Sequence, residues 1–304
     1  MSEAVRGLMA EHVLPDSYAE IVRTVHRPIA ERLVALRAQA GKPIVVGVCG
    51  TQASGKTTLA AFLKGLLEEA GLKAEVLAID DLYLSKEARQ ALAAEVHPLF
   101  ITRGPPGTHD VPQGHRVLDV LTGQSPPDDV RMPCFDKAAD TLAPRETWPA
   151  LTGPVDVVLF EGWCVGARPQ DEALLAEPIN EMERVRDADG VWRRYVNHRL
   201  GSDYASLFAR IDCLLMLKAP DFDAVFEWRA LQEKKLGDRL RAQGALTSGR
   251  KLMSEDDLRL FLAHYQRLTE HILKEMPPRA DILVTLARDH AVTGLTMGGT
   301  PQPL

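Results

Sequence analysis

The sequence predicts an α/β fold in which a parallel β-sheet is flanked by helices on both faces. Five continuous apolar runs rich in β-branched or aliphatic residues are typical of strands buried on both faces, at 43–49, 74–79, 155–160, 213–218 and 281–286. Helical periodicity occurs between or beside them, at 55–70, 85–97, 221–242 and 254–275. Because strands that alternate with helices are joined by crossover connections, we expect about five parallel strands in one sheet.

The order of the predicted strands and helices also predicts the domain organisation. Residues 1–40 are expected to form a helical extension, in which Pro28 bends or interrupts a helix over 16–40. Residues 41–290 form the main domain. Two irregular stretches within it, at 101–153 and 166–196, are interpreted as insertions at strand ends that serve as lids. Residues 291–304 are expected to be a C-terminal tail.

Composition excludes several classes of partner. The chain of 304 residues has a net charge of -6, which argues against a nucleic-acid or anionic-membrane partner. No apolar stretch approaches the ~20 residues needed to span a bilayer, and the N-terminus does not resemble a secretory signal. The four cysteines lack metal-site spacing and are expected to be buried free thiols. We therefore expect a cytoplasmic protein, and the sequence leaves its oligomeric state open.

One glycine-rich motif after the first predicted strand points to nucleotide phosphates. It matches the P-loop pattern G-x-x-x-x-G-K-[ST], in which the nucleotide-binding candidates are Gly50, Thr51, Gln52, Ala53, Ser54, Gly55, Lys56, Thr57 and Thr58. Glycines let successive backbone N–H groups face a phosphate, and the next helix adds its N-terminal donors. Lys56 suits the β- and γ-phosphates, and Thr57 offers a hydroxyl to Mg²⁺. The expected ligands are ATP and Mg²⁺; the alternative is a glycine-rich turn that binds nothing.

Carboxylates follow two other predicted strands. Asp80 and Asp81 end the second strand, where a carboxylate can accept or orient the proton of an attacking hydroxyl. The alternative is that one of them caps the following helix. Glu161 ends the strand at 155–160 and can hold Mg²⁺ or contact a substrate; the alternative is an ordinary surface residue. Together with the P-loop, these residues favour a P-loop NTPase fold of the kinase type, with lid insertions.

Beyond the P-loop, several motifs resemble D-glycerate 3-kinase and its relatives in the phosphoribulokinase/uridine kinase clan. The resemblance covers about residues 43–286. It rests on GTQASGKTT at 50–58, IDDLY at 79–83, RGPPGTHD at 103–110, PCFDKA at 133–138, LFEGW at 159–163, VN at 196–197 and FEWRALQE at 226–233. It implies an ATP-dependent kinase of a small metabolite, with D-glycerate as the expected acceptor. The alternatives are another acceptor, such as a nucleoside or pantothenate, and a regulatory P-loop ATPase.

The resemblance also implies roles for individual residues. It makes Asp80 the catalytic base, with Lys56 and the lid residue Arg229 supplying positive charge, and Glu161 the acidic residue near Mg²⁺. The residues expected to face the acceptor are Tyr83, Arg103, His109, Asp110, Asp136 and Lys137. Two alternatives stay open: His109 holds its loop by hydrogen bonds, or Lys137 is an ordinary surface lysine. Trp163 and Trp228 are expected to be packing residues.

Overall fold

The computed structural model describes residues 2–242 and 253–304. Its strands are β1 (Ile44–Gly50), β2 (Ala74–Ala78), β3 (Phe135–Asp136), β4 (Thr141–Leu142), β5 (Val157–Gly162), β6 (Cys213–Lys218), β7 (Ile282–Leu286), β8 (Val292–Met297) and β9 (Thr300–Gln302). Its α-helices are α1 (Glu3–Glu11), α2 (Tyr18–Ile21), α3 (Arg27–Ala40), α4 (Lys56–Glu69), α5 (Lys86–Glu95), α6 (Val111–Leu121), α7 (Glu181–Arg186), α8 (Val191–Gly201), α9 (Asp203–Phe208), α10 (Phe222–Ala242) and α11 (Glu255–Glu275).

Within the described residues, a seven-stranded sheet has the order β2-β5-β1-β6-β7-β8-β9. The first five of these strands are parallel, which confirms the predicted parallel sheet. β1 lies in the middle of the parallel part, between β5 and β6. The carboxyl ends of β1, β2 and β5 therefore meet at one edge of the sheet, where ligands bind in folds of this kind.

Both faces of the sheet are covered, which explains the continuous apolar runs. Val45 and Val46 are adjacent in β1 but belong to different core clusters. One cluster joins the sheet to α1, α3 and α4, and the other joins it to α6, α9 and α11. Successive side chains of a strand point to opposite faces, so a strand covered on both sides needs apolar residues at every position.

The N-terminal extension is helical, as predicted, and its irregularity occurs just before Pro28. Residues Val22–His26 form a π-helical turn that leads into α3. Proline has no N–H, so the regular hydrogen-bond ladder cannot continue unchanged through this position. Tyr18 and His26 pack against Phe62 of α4, with ring centroids 5.5 and 5.2 Å apart respectively. The extension thus supports the helix that follows the P-loop.

Three expectations need correction or refinement. The predicted tail at 291–304 instead supplies β8 and β9, which extend the sheet by antiparallel pairing. The insertion at 101–153 contains α6 and a β3–β4 hairpin, and the one at 166–196 contains α7 and the start of α8. Cys134 is exposed, whereas the other three cysteines are buried, and all four are free.

No helix in the described part of the chain combines the length and the apolar character that crossing a bilayer requires.

Candidate active site

The P-loop has a backbone that its residue types make possible. Gly55 has φ +91°, in the left-handed region, and Ala53 also has a positive φ of 59°. A Cβ atom at Gly50 would lie 2.6 Å from Ser54 Oγ, so only glycine fits there without displacement. The hydroxyls of Thr51 and Ser54 are buried and have no hydrogen-bond partner among the described residues. These unpaired polar groups, on a turn that begins α4, fit an anion-binding cradle.

A hydroxyl and a carboxylate meet beside this cradle. Thr57, in the first turn of α4, donates a hydrogen bond of 2.9 Å from Oγ1 to Oε1 of Glu161 at the end of β5. Burial raises the pKa of Glu161, although the positive charge of Lys56 opposes that effect. Both side chains present oxygen atoms, the ligand type that Mg²⁺ prefers. In residues 2–242 and 253–304, no group of three or more His, Cys, Asp or Glu side chains could hold a metal ion by itself.

Asp80 and Asp81 lie on a short 3₁₀ turn, Ile79–Leu82, directly after β2. Asp80 accepts hydrogen bonds of 2.7 Å from the hydroxyl of Tyr83 and 2.7 Å from Nζ of Lys137. Burial opposes ionisation of Asp80, but Lys137, Lys56 and the two hydrogen bonds outweigh it and lower the pKa of its carboxyl to about 2. Asp80 is therefore an ionised carboxylate at neutral pH.

Asp81 has a different environment from its neighbour. Its Oδ1 accepts a hydrogen bond of 3.1 Å from the backbone N–H of Phe135, and burial raises the pKa of its carboxyl. The helix that follows is capped by Ser85. The interpretation of either aspartate as a helix cap is therefore wrong.

The loop at 103–110 is joined to the turn after β2. Tyr83 and His109 form an isolated antiparallel bridge, and their rings stack with centroids 4.8 Å apart. The Tyr204 hydroxyl accepts from the N–H of Gly107 and lies 2.6 Å from Nδ1 of His109. Burial lowers the pKa of His109 to about 4, so the ring is neutral.

His109 holds its loop through a hydrogen bond with Tyr204, which is one of the alternatives that the sequence leaves open. Its Nε2 is buried and has no partner among the described residues, so this atom is available to a ligand.

Arg103 and Asp110, in the same loop, have partners within the protein. Arg103 forms an ion pair with Asp140, and its guanidinium lies 5.5 Å from the ring centroid of Phe135. Asp110 is the N-cap of α6, where its side chain accepts a 2.8 Å hydrogen bond from the N–H of Gln113. The contacts of Asp110 therefore indicate a structural residue, whereas Arg103 contacts the β3–β4 hairpin, which also carries Lys137.

The remaining predicted residues differ in what they contact. Lys137 reaches Asp80, so it is not an ordinary surface lysine. Asp136 accepts hydrogen bonds of 2.8 and 3.0 Å from the N–H groups of Ala138 and Ala139, which shape the hairpin turn. Arg229 on α10 pairs with Glu233 at 2.8 Å and is 17% exposed.

Both tryptophans are packing residues, as predicted. Trp163 is buried and donates to the carbonyl of Gly104 at 3.1 Å. Trp228 is buried and donates to the carbonyl of Arg288 at 2.7 Å.

Sequence reasoning missed residues that organise the site from a distance. Asp140 of the hairpin forms an ion pair with Arg89 of α5. The hydroxyl of Tyr265 donates a hydrogen bond of 2.8 Å to the carbonyl of Arg103. Arg89 is 51 residues away from its partner in the chain, so no local pattern marks the pair. The one available signal is the predicted helix over 85–97, which places Arg89 on an element adjoining the site.

Comparisons with known proteins find several kinases that are similar to this chain. The chain is 32% identical over 237 residues to "Uncharacterized kinase mug58" of Schizosaccharomyces pombe, covering 74% of this chain and 79% of that protein. It is 28% identical over 231 residues to the chloroplastic D-glycerate 3-kinase of Arabidopsis thaliana, covering 73% of this chain and 46% of that protein. The structure of D-glycerate 3-kinase from Cryptococcus neoformans var. grubii has a TM-score of 0.70 at 25% identity, covering 89% of this chain and 98% of that one.

A family model for the methylmalonyl Co-A mutase-associated GTPase MeaB also matches, but only over residues 17–84. That segment holds the P-loop and the turn after β2. The likeness to the relatives, in contrast, extends over nearly three quarters of the chain or more. The chain therefore belongs to the D-glycerate 3-kinase-like family of P-loop kinases, and it is a small-molecule phosphotransferase.

Proposed function

We propose that this kinase transfers the γ-phosphate of ATP to a hydroxyl of a small anionic hydroxy acid, with D-glycerate as the first candidate. The observation that carries the proposal is the position of Asp80, an ionised carboxylate between Lys137 and Tyr83 and beside the P-loop. Such a carboxylate can orient an acceptor hydroxyl and accept its proton. Two relatives that match this chain are named D-glycerate 3-kinase, which supports this acceptor class.

The nucleotide would occupy the P-loop. Backbone N–H groups of 50–58 and the side chain of Lys56 would bind its phosphates, and Thr57 and Glu161 would hold Mg²⁺. When bound, Mg²⁺ neutralises charge on the β- and γ-phosphates. Arg229, on the helix that resembles the lid, is proposed to add a positive charge near the transferred group once it exchanges its pairing with Glu233.

Asp80 would act mainly by orientation. Phosphoryl transfer passes through a loose transition state in which positioning and charge stabilisation supply most of the catalysis. A carboxyl with a pKa near 2 is a weak base, so its strongest contribution is a fixed hydrogen bond that aims the acceptor oxygen. Tyr83, which donates to the same carboxylate, helps to fix its direction.

The acceptor carboxylate would lie near Arg103 and His109. Arg103 uses one terminal nitrogen for Asp140, and its other donors have no partner in residues 2–242 and 253–304. Nε2 of His109 is a buried polar atom that also lacks a partner in those residues. A small hydroxy acid could form hydrogen bonds with both groups, since its carboxylate oxygens accept and its hydroxyl both donates and accepts.

The direct test is an ATP-consumption screen of the purified protein. D-Glycerate, pantothenate, uridine and a sample without acceptor are compared at equal ATP and Mg²⁺. Turnover that depends on D-glycerate and yields phosphoglycerate supports the proposal. Turnover of only uridine or pantothenate would exclude the carboxylate acceptor, and strong hydrolysis without any acceptor would favour a regulatory ATPase.

Arg103→Lys is expected to weaken acceptor binding. Lysine keeps the charge, but one ammonium lacks the fork that can serve Asp140 and a ligand carboxylate at once. We expect a rise in KM for the acceptor of roughly 10- to 100-fold, the size of a lost charged hydrogen bond, with little change in KM for ATP. Arg145→Lys is the matched control, because Arg145 also pairs with one aspartate but on an exposed surface. An unchanged acceptor KM would contradict this assignment.

Lys137→Met should change the pH dependence of the reaction. Burial alone would raise the pKa of Asp80, and the positive charge of Lys137 is the largest influence that lowers it. Without Lys137, only Lys56 and the hydrogen bond from Tyr83 still oppose the effect of burial. The pKa of Asp80 should therefore rise, and the acid limb of the kcat/KM profile for the acceptor should move to higher pH. The exposed Lys86→Met serves as the control. Coincident acid limbs for wild type and Lys137→Met would refute the assignment.

A further inference from the structure

The β3–β4 hairpin, residues 134–142, is held over Asp80 and Asp81 at one end. The N–H of Phe135 donates to Asp81, and the ring of Phe135 meets the edge of Tyr83 with centroids 5.1 Å apart. Lys137, on the turn of the hairpin, reaches Asp80. The location of Lys137 is therefore set by how the whole hairpin is fixed.

Asp140 is the last residue of the turn that carries Lys137, and two arginines hold it in place. It has φ +55°, a left-handed conformation that residues other than glycine, asparagine and aspartate rarely adopt. One carboxylate oxygen pairs with Arg89 at 2.9 Å, and the other pairs with Arg103. Arg89 also donates to the Asp140 carbonyl at 2.7 Å and to the carbonyl of Ile101 at 2.6 Å. Asp140 thus joins α5, the start of the 103–110 loop and the hairpin.

This junction is charged, and its Arg89 is buried whereas Arg103 and Asp140 are partly exposed. Arg89 is only 1% exposed, and a buried guanidinium that loses its carboxylate partner is strongly destabilising. Two arginines share one carboxylate, which leaves one net positive charge beside the position proposed for the acceptor. The remaining donors of Arg103 are directed by the pairing of its first terminal nitrogen with Asp140.

We propose that Asp140 is a positioning residue, which together with Arg89 sets the hairpin so that Lys137 meets Asp80 and Arg103 keeps free donors for the acceptor anion. The effect of Asp140 on the kinetics of the acceptor rests on the proposed acceptor class. The placement of the hairpin is independent of that class, so the placement and the kinetic effect can be tested separately.

Asp140→Asn tests the placement. Asparagine has the same size and tolerates the left-handed conformation, but its amide can satisfy only one of the two arginines. We expect amide hydrogen exchange in the peptide 133–142, which contains the N–H of Phe135, to become roughly tenfold faster as the hairpin loosens. The matched control is Asp129→Asn, since Asp129 also has φ +55° and pairs with an arginine, but on the exposed surface. Equal exchange in wild type and Asp140→Asn would overturn the proposal.

Kinetics of the same variants test the consequence. Asp140→Asn should lower kcat/KM for the acceptor roughly 10- to 100-fold, as expected for a displaced orienting group, with KM for ATP unchanged. The loss should be much smaller in a Lys137→Met background, because Asp140 acts partly through Lys137; an equal loss in both backgrounds would overturn that part.

Two further outcomes remain distinguishable. Should Asp140→Asn fail to fold, Asp140→Glu keeps a carboxylate for the buried Arg89 but displaces it by one methylene, and the same exchange measurement applies. If wild type turns over no hydroxy acid, the acceptor class fails, and the exchange measurement still decides the placement of the hairpin.

Discussion

Lys56→Ala is expected to lower ATP-dependent phosphoryl transfer by on the order of 10³-fold, because it removes the P-loop cation from the β- and γ-phosphates as charge shifts in the transition state. Lys56 lies at the start of α4, next to the turn whose buried hydroxyls have no hydrogen-bond partner in the part of the chain that the structure describes. The measurement is kcat with saturating acceptor, accompanied by ATP binding and thermal unfolding of the same sample.

Lys64→Ala is the control for this substitution. Lys64 lies on the same helix and forms a surface pair with Glu75 at 2.8 Å. Its removal should leave kcat within about twofold, since exposed pairs contribute roughly 0 to 1 kcal/mol. A Lys56→Ala variant with wild-type turnover would show that the P-loop does not bind the transferred phosphate.

Asp80→Asn should lower kcat roughly 10²-fold or more, because the carboxylate that orients the acceptor hydroxyl and accepts its proton is lost, while KM for ATP changes little. The amide can still accept from Tyr83, but it cannot form an ion pair with Lys137 or receive a proton. The protein should remain folded because size and shape are preserved.

Asp81→Asn is the internal comparison. Its amide oxygen can still accept from the N–H of Phe135, so we expect a much smaller decrease in kcat. The two aspartates are expected to differ in their effect on kcat because they lie on a 3₁₀ turn and have different hydrogen-bond partners. Equal losses at both positions, or a loss confined to Asp81→Asn, would reverse the proposed roles.

The sequence was sufficient for the parallel part of the sheet. Each of the five predicted strands is present because a strand covered on both faces requires apolar residues throughout, and that requirement leaves a visible run. β9 was missed because it is a short edge strand, and β8 was missed because only Leu295 among its residues is buried. Thr300 and Pro301 are exposed, so nothing forces an apolar pattern on this segment.

The sequence predicted which residues belong to the candidate site but not which of them pair with each other. The motifs identified Lys56, Asp80 and Lys137, and the structure brings Asp80 and Lys137 together across 57 residues of chain. Asp110 instead caps a helix. A helix cap and a substrate ligand can both be aspartate, so the residue type cannot separate them. Asp140 lay in no motif, since its importance comes from two arginines that only the fold brings close.

The two edges of the sheet have a consequence for self-association. An open β-strand edge is a template on which another chain can pair and aggregate. Here β9 forms one edge, has three residues and contains Pro301, which has no N–H to offer to a further strand. At the other edge, β2 carries Glu75 in an ion pair with Lys64. Charge on one side and a short, proline-containing strand on the other thus protect the sheet from growing into fibrils.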